Sequence, residues 1–351
     1  EYEKVGFKAG LEVHQQLETK KLFCHCPSLV NDSNPSVIKI KRRLMLSEGE
    51  LGEKDKAAEF EAKKQKTFIY HVKETSACLV EIDEAPPFPI NEDALKAAIQ
   101  IAKLFDAKIS RQVQVMRKIV IDGSNVTGFQ RTALIARNGY VETSKGKITI
   151  PTLYLEEEAA KKIEEKEEEI VYSLDRLGVP LIEISTGPEL KDPEHVKEVA
   201  SIIGMILRST EKVKRGIGSI RQDVNISINK YPRIELKGFQ DLRSIPKVIE
   251  NEIKRMQKEK EKVSHVRKVE QNFTSSFLRP MSGSARLYPE TDIPFIEITQ
   301  DLLDTITIPE LITERAINME KKYNISTHYA REILKQNIPF DYYAEKYRIE
   351  P

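Results

Sequence analysis

The side chains with the most chemistry to offer lie on short segments that alternate apolar and polar residues. In Gly10–Leu17, the residues Leu11, Val13 and Leu17 point one way and Glu12, His14 and Gln16 the other. A period of two puts Glu12 and His14 about 6.5–7 Å apart on one face, close enough to share one or two cations. Gly218–Ile228 repeats the pattern, with Ile220, Val224, Ile226 and Ile228 opposite Arg221, Asp223, Asn225 and Ser227. Arg233, Glu235 and Lys237 share the polar face of a third segment. Leu153–Glu158 ends a strand in three carboxylates, Glu156, Glu157 and Glu158, and Pro180–Ser185 embeds the single Glu183 in an apolar run. A carboxylate placed there must be paired, hydrogen-bonded or metal-bound, because burying it alone is too costly. Each segment alone reads as a half-exposed antiparallel strand, and Glu183 could simply pair with an arginine. Together, acids and one histidine interleaved with Arg221, Arg233 and Lys237 suit a set of strands holding magnesium and phosphates. Magnesium takes carboxylates and water, and arginine or lysine neutralises phosphoryl oxygens. No P-loop or glycine-rich dinucleotide fingerprint is present, so phosphates would be held in another manner.

The elements that must position these groups change texture along the chain. Up to about Leu242 the pattern predicts short strands with two inserted helices; beyond it, mostly helix. Asn91 caps a helix to Phe105 through Leu95, Ile99 and Ala102, and Asp192-Pro193-Glu194 opens another that buries Val196, Val199, Ile203 and Ile206. A third helix is expected from Pro246 to about Val263, with Lys258–Lys262 as a solvated end, and two more at Pro309–Tyr323 and Thr327–Gln336. Within the stretch His265–Ser284 the polar centre Gln271–Ser276 reads as a loop or junction, and the acidic run Glu164–Glu169 as an exposed turn. At 351 residues, with 40% hydrophobic and 32% charged residues, the chain supports about two globular domains. Fifty-six lysines and arginines nearly cancel 55 acids, excluding a generally basic coat but not a local basic groove. No apolar run approaches the ~20 residues of a membrane helix. The three cysteines, Cys24, Cys26 and Cys78, cannot build a disulfide framework, so a cytoplasmic protein without membrane attachment is expected.

At these same residues the sequence resembles the GatB/GatE family of tRNA-dependent amidotransferase subunits, within it the archaeal E branch. Gly10–Leu17 followed by Lys21–Cys26 resembles the family's opening signature. Further matches run in order through Met116-Arg117-Lys118, Asp122–Asn125, Gly128–Thr132, Leu155-Glu156-Glu157, Asp175-Arg176, Gly178–Ile184, Ile220–Asn225 and Arg286–Asp292. The resemblance implies an α+β fold: an antiparallel-sheet cradle, a glutamine-synthetase-like kinase domain over residues 1–297, and the start of a helical C-terminal domain over 298–351. It implies a reaction in which ATP phosphorylates the glutamyl side chain of misacylated Glu-tRNA(Gln) and ammonia then displaces phosphate. Ammonia would come from a D subunit, an asparaginase-like glutaminase, within a D2E2 heterotetramer.

Carried over by motif, His14, Glu156 or Glu157, and Glu183 are the first magnesium ligands, with Glu12, Asp223 and Glu235 behind them. Arg221, Arg233 and Lys237 are implied for ATP phosphates, although Arg221 and Lys237 equally suit ion pairs to Asp223 or Glu235 across strands. Arg117, Lys118 and Arg131 would line a route for substrate or ammonia. Bacterial B subunits of the family bind zinc through a Cys-x-Cys and a later Cys-x-x-Cys; here the second pair is missing, and a fourth donor would have to be His25, His71 or an outside residue, so structural zinc is not expected. The family's inserted domain, resembling one of bacterial aspartyl-tRNA synthetases, should sit near 268–277 and is expected to be either absent or unseen there, with residues on its two sides joined, and the family's C-terminal tail is expected to be lacking. Lys39–Arg43, Lys212–Arg215 and Lys254-Arg255 are candidates for tRNA contact, though each reads first as solvated surface. Two alternatives stay open: a bacterial-type B subunit acting on Asp- or Glu-tRNA, and a catalytically silent tRNA-binding scaffold.

Overall fold

The structure, a computed structural model, describes residues 2–28, 38–46, 54, 56–239, 241–283 and 287–347. Arg286 of the Arg286–Asp292 motif lies outside them. The alternating segments of the sequence become strands of one large sheet. In chain order its main strands are β1 (Lys8–Gln16), β2 (Val115–Ile119), β3 (Phe129–Thr143), β4 (Gly146–Glu157), β5 (Pro180–Ser185), β6 (Ile220–Ile228), β7 (Tyr231–Lys237), β8 (His265–Val269), β9 (Ser275–Pro280) and β10 (Leu287–Pro289). They pair in the order β9-β8-β7-β6-β1-β5-β4-β3-β2-β10, and Lys108–Ile109 adds to β3 as the eleventh strand. All of these pairings are antiparallel except that of β7 with β8. β1, the strand of Glu12 and His14, therefore sits near the middle, between β5 and β6.

Helices α1 (Glu92–Leu104), α2 (Pro193–Ser209) and α3 (Ile245–Lys258) cover one face of this sheet. Their apolar stripes pack on Leu11 and Val13 of β1, Ile182 and Ile184 of β5, Val224 and Ile226 of β6, and Ile234 and Leu236 of β7. The alternation of each strand then forces the polar partners of those residues onto the other face, as an antiparallel sheet with one covered side requires. The caps lie where the sequence puts them: Asn91 accepts from the Ala94 amide at the start of α1, and Asp192 from the His195 amide at the start of α2. A second sheet of four strands, Ile38–Arg42, Thr67–Val72, Glu169–Ser173 and Lys161–Glu165, packs its own core of Phe68, Tyr70, Ile170 and Tyr172. Beside it, Gly123 has φ of 88°, and a Cβ there would meet the Phe68 ring at 2.2 Å, so the Asp122–Asn125 turn needs glycine twice over.

Three expectations are corrected. Residues 271–274 form the expected turn, in which Glu270 donates to the Thr274 carbonyl and Asn272 accepts from the Thr274 amide, but Ser275 and Ser276 are already strand, and the flanking residues form the β8–β9 hairpin on the sheet edge where mostly helix was expected; Ser284 lies outside the described residues. Val266 is the one fully buried residue of the pair, so the alternation that reveals a strand is missing from the sequence. Helix α3 ends at Lys258 rather than Val263, because Met256 is its last buried residue and nothing in the charged run that follows anchors it to the core. A short helix at Lys56–Ala62 was not expected, and within Glu164–Glu169 only the middle is a turn, its ends belonging to strands. Towards the C-terminus, α4 (Ile312–Tyr323), α5 (Thr327–Lys335) and α6 (Phe340–Tyr347) gather around Ala316, Met319 and Ala330. No described helix is long and apolar enough to cross a membrane.

Leu11 holds the middle strand to the helical layer and is 1% exposed. Leu11→Ala is expected to destabilise the fold by about 2–5 kcal/mol, read as a lower urea midpoint, whereas the exposed Lys8→Gln should change it by less than about 0.5 kcal/mol.

Candidate active site

Register fixes who meets whom on the polar face. β1 sets His14 opposite Glu183 of β5 and Arg221 of β6, and Glu12 opposite Asp223 of β6. Asn225 of β6 faces Glu235 of β7, and Glu183 of β5 faces Tyr154 of β4, which puts Glu156, two residues on, on the same side. The result is a cluster. His14 Nε2 lies 3.3 Å from Glu183 and its Nδ1 3.9 Å from Asp223. Lys118 of β2 reaches Glu156 at 2.8 Å and Glu183 at 3.3 Å, while Lys237 bridges Asp223 and Glu235 at 2.5 Å each. Thr132 donates to Glu156 and Asn225 Nδ2 to Glu12. Donor atoms of Glu12, His14 and Glu183 fall within 4.8 Å of one another, as do those of Glu12, Asp223 and Glu235, so Glu12 is common to two triads.

The electrostatics are those of packed anions. Burial raises the Glu12 pKa, and the charges of Glu235, Glu183 and Asp223 add to it against Lys237. Burial and the Glu183 charge likewise raise Glu156 against the pull of Lys118 and His14. Glu183 goes the other way: burial would raise it, but Lys118 and His14 hold it well below the carboxylate range. For His14, burial favours the neutral ring, yet the hydrogen bond and charge of Glu183, with Asp223 and Glu156, outweigh it and raise its pKa.

Not every candidate joins. Glu157 points to the opposite side of β4 from Glu156, where Arg131 pairs with it and, through Nε, with Glu290 at 2.8 Å. Arg117 is held there too, by Glu290 and Asp292. Of the three residues expected along a route, only Lys118 reaches the cluster. Arg221 is paired, but with Glu158 at 2.9 Å rather than Asp223 or Glu235, and Gln16 donates to the same carboxylate. For Lys237 the cross-strand ion pair is the arrangement found. Arg233 stands exposed on β7. Sequence reasoning missed Glu158 as a partner and Lys118 as the counter-ion of Glu183; the apolar environment of Glu183 demanded a cation, but nothing in the sequence named which.

Cys24, Cys26 and Cys78 also converge, and the fourth donor is Glu81, a carboxylate that a search for cysteine and histidine spacing passes over. Cys24 lies 2.7 Å from Glu81, and burial together with the Glu81 charge pushes its thiol far up; Cys78 is raised to about 11. The fully buried ammonium of Lys21, 3.5 Å from Glu81, already supplies the positive charge of this corner. The basic clusters are partly engaged as well: Lys41 pairs with Glu169, Arg42 with Glu84, and Arg255 with Glu252 and Glu259.

Residues 7–304 match the family model of the GatB/GatE catalytic domain. The E subunit of glutamyl-tRNA(Gln) amidotransferase from Methanocaldococcus jannaschii is 56% identical over 253 residues, 72% of this chain and 40% of that protein. The protein of the same name from Methanosarcina acetivorans is 53% identical over 256 residues, 73% of this chain and 40% of its own length. Another, from Methanosarcina barkeri, is 36% identical over 470 aligned positions, covering 95% of this chain and 74% of that protein. The chain thus spans about 40% of the length of the first two relatives.

The shifts of the cluster set a pH dependence. A histidine raised on folding stabilises fully below its unfolded value of 6.5, and that contribution is lost as pH rises through the higher folded value. Glu183, lowered on folding, contributes above its unfolded value of 4.5 and loses this only as the solution becomes acidic. In EDTA the thermal midpoint is therefore expected to fall as pH climbs above about 6.5, and His14→Gln to flatten that fall. Magnesium at about 100 times its dissociation constant should restore about 2.7 kcal/mol at alkaline pH. A midpoint independent of both pH and magnesium in this range would contradict the assignment.

Proposed function

The chain belongs to the GatB/GatE catalytic domain family, and from that we propose that it is the phosphorylating and amidating part of an E subunit of a glutamyl-tRNA(Gln) amidotransferase. The observation that carries this reading is the meeting of Glu12, His14 and Glu183, with Asp223 and Glu235 sharing Glu12. Relatives named as E subunits support it over a bacterial-type B subunit, and an intact acidic cluster supports it over a silent scaffold.

In this reading the polar sheet face is the family's kinase cradle, of the glutamine-synthetase-like kind. The donor set fits magnesium: hard carboxylate oxygens in excess, one imidazole, and raised carboxylate pKa values that a cation would relieve. Glu12, His14 and Glu183 would hold one ion, and Glu12, Asp223 and Glu235 are placed for a second. When bound, magnesium supplies charge neutralisation at the phosphoryl oxygens of ATP. The chain's own groups do the rest. Asp223 on the Nδ1 side and Glu183 on the Nε2 side orient the His14 ring. Lys118 and Lys237 hold the carboxylates in place; Lys237, part-exposed, is placed to meet phosphate. Glu158 fixes the part-exposed Arg221, which stands opposite His14 across the β1–β6 pairing. The substrate carboxylate, a poor electrophile, would take the terminal phosphoryl group as its bond to ADP breaks. Ammonia would then form the new C–N bond as the bond to phosphate breaks and a proton leaves the nitrogen.

Glu-tRNA(Gln) as substrate, an asparaginase-like glutaminase (the D subunit) as ammonia source and a D2E2 assembly complete the proposal. The alignment to the Methanosarcina barkeri protein runs over 470 positions against the 351 residues of this chain, which supports additional residues within the aligned part of that relative.

With this chain combined with a glutaminase partner, His14→Ala and Glu183→Ala are each expected to lower ADP formation dependent on Glu-tRNA(Gln) by about 100-fold or more. Filter binding of the tRNA should stay unchanged. Full ADP formation in both variants would overturn the site.

A further inference from the structure

The donors that touch the carboxylate cluster are already engaged by it. His14 is held between Glu183 and Asp223, Lys118 between Glu156 and Glu183, and Lys237 between Asp223 and Glu235. Thr132 donates to Glu156, and Asn225 Nδ2 to Glu12. Glu183 has two facing neighbours across its ladders, His14 on β1 and Tyr154 on β4. His14 is bound to it; Tyr154 is not. The phenol is half-buried, and the charged groups around it are Glu183, Lys118, Glu156 and Arg137. Even so, its hydroxyl makes no hydrogen bond to any described residue. A phenol keeps its proton at neutral pH, so this hydroxyl is a donor left free beside the cluster.

Its place in the sheet gives that donor a use. Lys237, the cation placed to meet phosphate, is on β7, and the strand order β7-β6-β1-β5-β4 sets Tyr154 on the far side of His14 from it. In-line transfer puts the attacking and leaving oxygens on opposite sides of the phosphorus. With the nucleotide's phosphates toward β7, the acceptor carboxylate lies toward β4, where the phenol stands. We propose that Tyr154 is a catalytic residue of the amidation step, its hydroxyl donating to the acyl oxygen that does not take the phosphoryl group. As the ammonia nitrogen bonds to the acyl carbon, the carbonyl electron pair moves onto that oxygen, and the hydrogen bond from the phenol strengthens with the growing charge. The pair then returns, the bond from carbon to the phosphate oxygen breaks, and a proton leaves the nitrogen to water. Tyr154 neither gains nor loses a proton over the cycle. This rests on the reading of the cluster as the site of phosphorylation and amidation.

The test removes the hydroxyl and keeps the ring. Tyr154→Phe, combined with a glutaminase partner and supplied with excess ammonium chloride, is given ATP and Glu-tRNA(Gln), and ADP and Gln-tRNA(Gln) are followed through one turnover. Amide formation is expected to slow by about 100-fold or more, while the burst of ADP stays within about threefold of wild type. The stalled acyl phosphate should appear as a hydroxamate when the quenched mixture is treated with hydroxylamine. The thermal midpoint of the variant should match that of the wild type. If both products slow by the same factor, the hydroxyl acts in phosphoryl transfer or in the fold, and the assignment is overturned. It is overturned equally if the variant amidates at the wild-type rate, as a merely solvated phenol would allow. A wild-type chain that forms no ADP with Glu-tRNA(Gln) sinks the kinase reading itself, and the role of Tyr154 with it.

Discussion

Everything distinctive about this molecule follows from holding carboxylates of like charge within contact of one another on one side of a sheet. Glu12, Glu156, Glu183, Asp223 and Glu235 are answered by two lysines and a histidine. The remaining repulsion appears as raised Glu12 and Glu156 pKa values. Such an arrangement persists only where the backbone over-determines it. β1 is locked between β5 and β6 along eight paired residues on one side and five on the other, so none of its polar groups can turn away from the cluster without breaking the sheet. The ladder and the helical layer behind it hold the packed anions in place.

The same two-sidedness separates functions that sequence alone runs together. Glu156 and Glu157 are neighbours, yet one belongs to the carboxylate cluster around His14 and the other to a buried ionic network with Arg131 and Glu290. Adjacent residues of a strand point to opposite sides, so only one of the pair can reach His14. Glu290, 1% exposed between Arg117 and Arg131, ties β2 and β3 to the segment after β10 and so stiffens the strand that carries Lys118.

Much of this was legible beforehand because alternation is a strong signal when one face is buried. β1, β6 and β7 and their polar sets read directly from Leu11-x-Val13, Val224-x-Ile226 and Ile234-x-Leu236. The caps at Asn91 and Asp192 read equally well, since a short polar side chain before an apolar stripe has one physical use. What escaped depended on pairing between distant segments. The β8–β9 hairpin has too few buried residues to alternate. Glu158 as the partner of Arg221, and Glu81 beside the cysteines, were visible as acids but not as neighbours. The resemblance to the GatB/GatE family implied a ligand set that periodicity left open, and it offered Glu156 or Glu157 without choosing; strand geometry puts Glu156, and not Glu157, on the face of the cluster.

The central claim is that these carboxylates surround a divalent ion next to a nucleotide. Anomalous diffraction from crystals grown with manganese and AMP-PNP tests it most directly. The account predicts a peak within about 2.3 Å of carboxylate oxygens of Glu12 and Glu183 and the ring of His14, with the terminal phosphate on the same ion. Nucleotide density accompanied by no peak at these three side chains, or by a peak only at the Cys24–Glu81 corner, would contradict it.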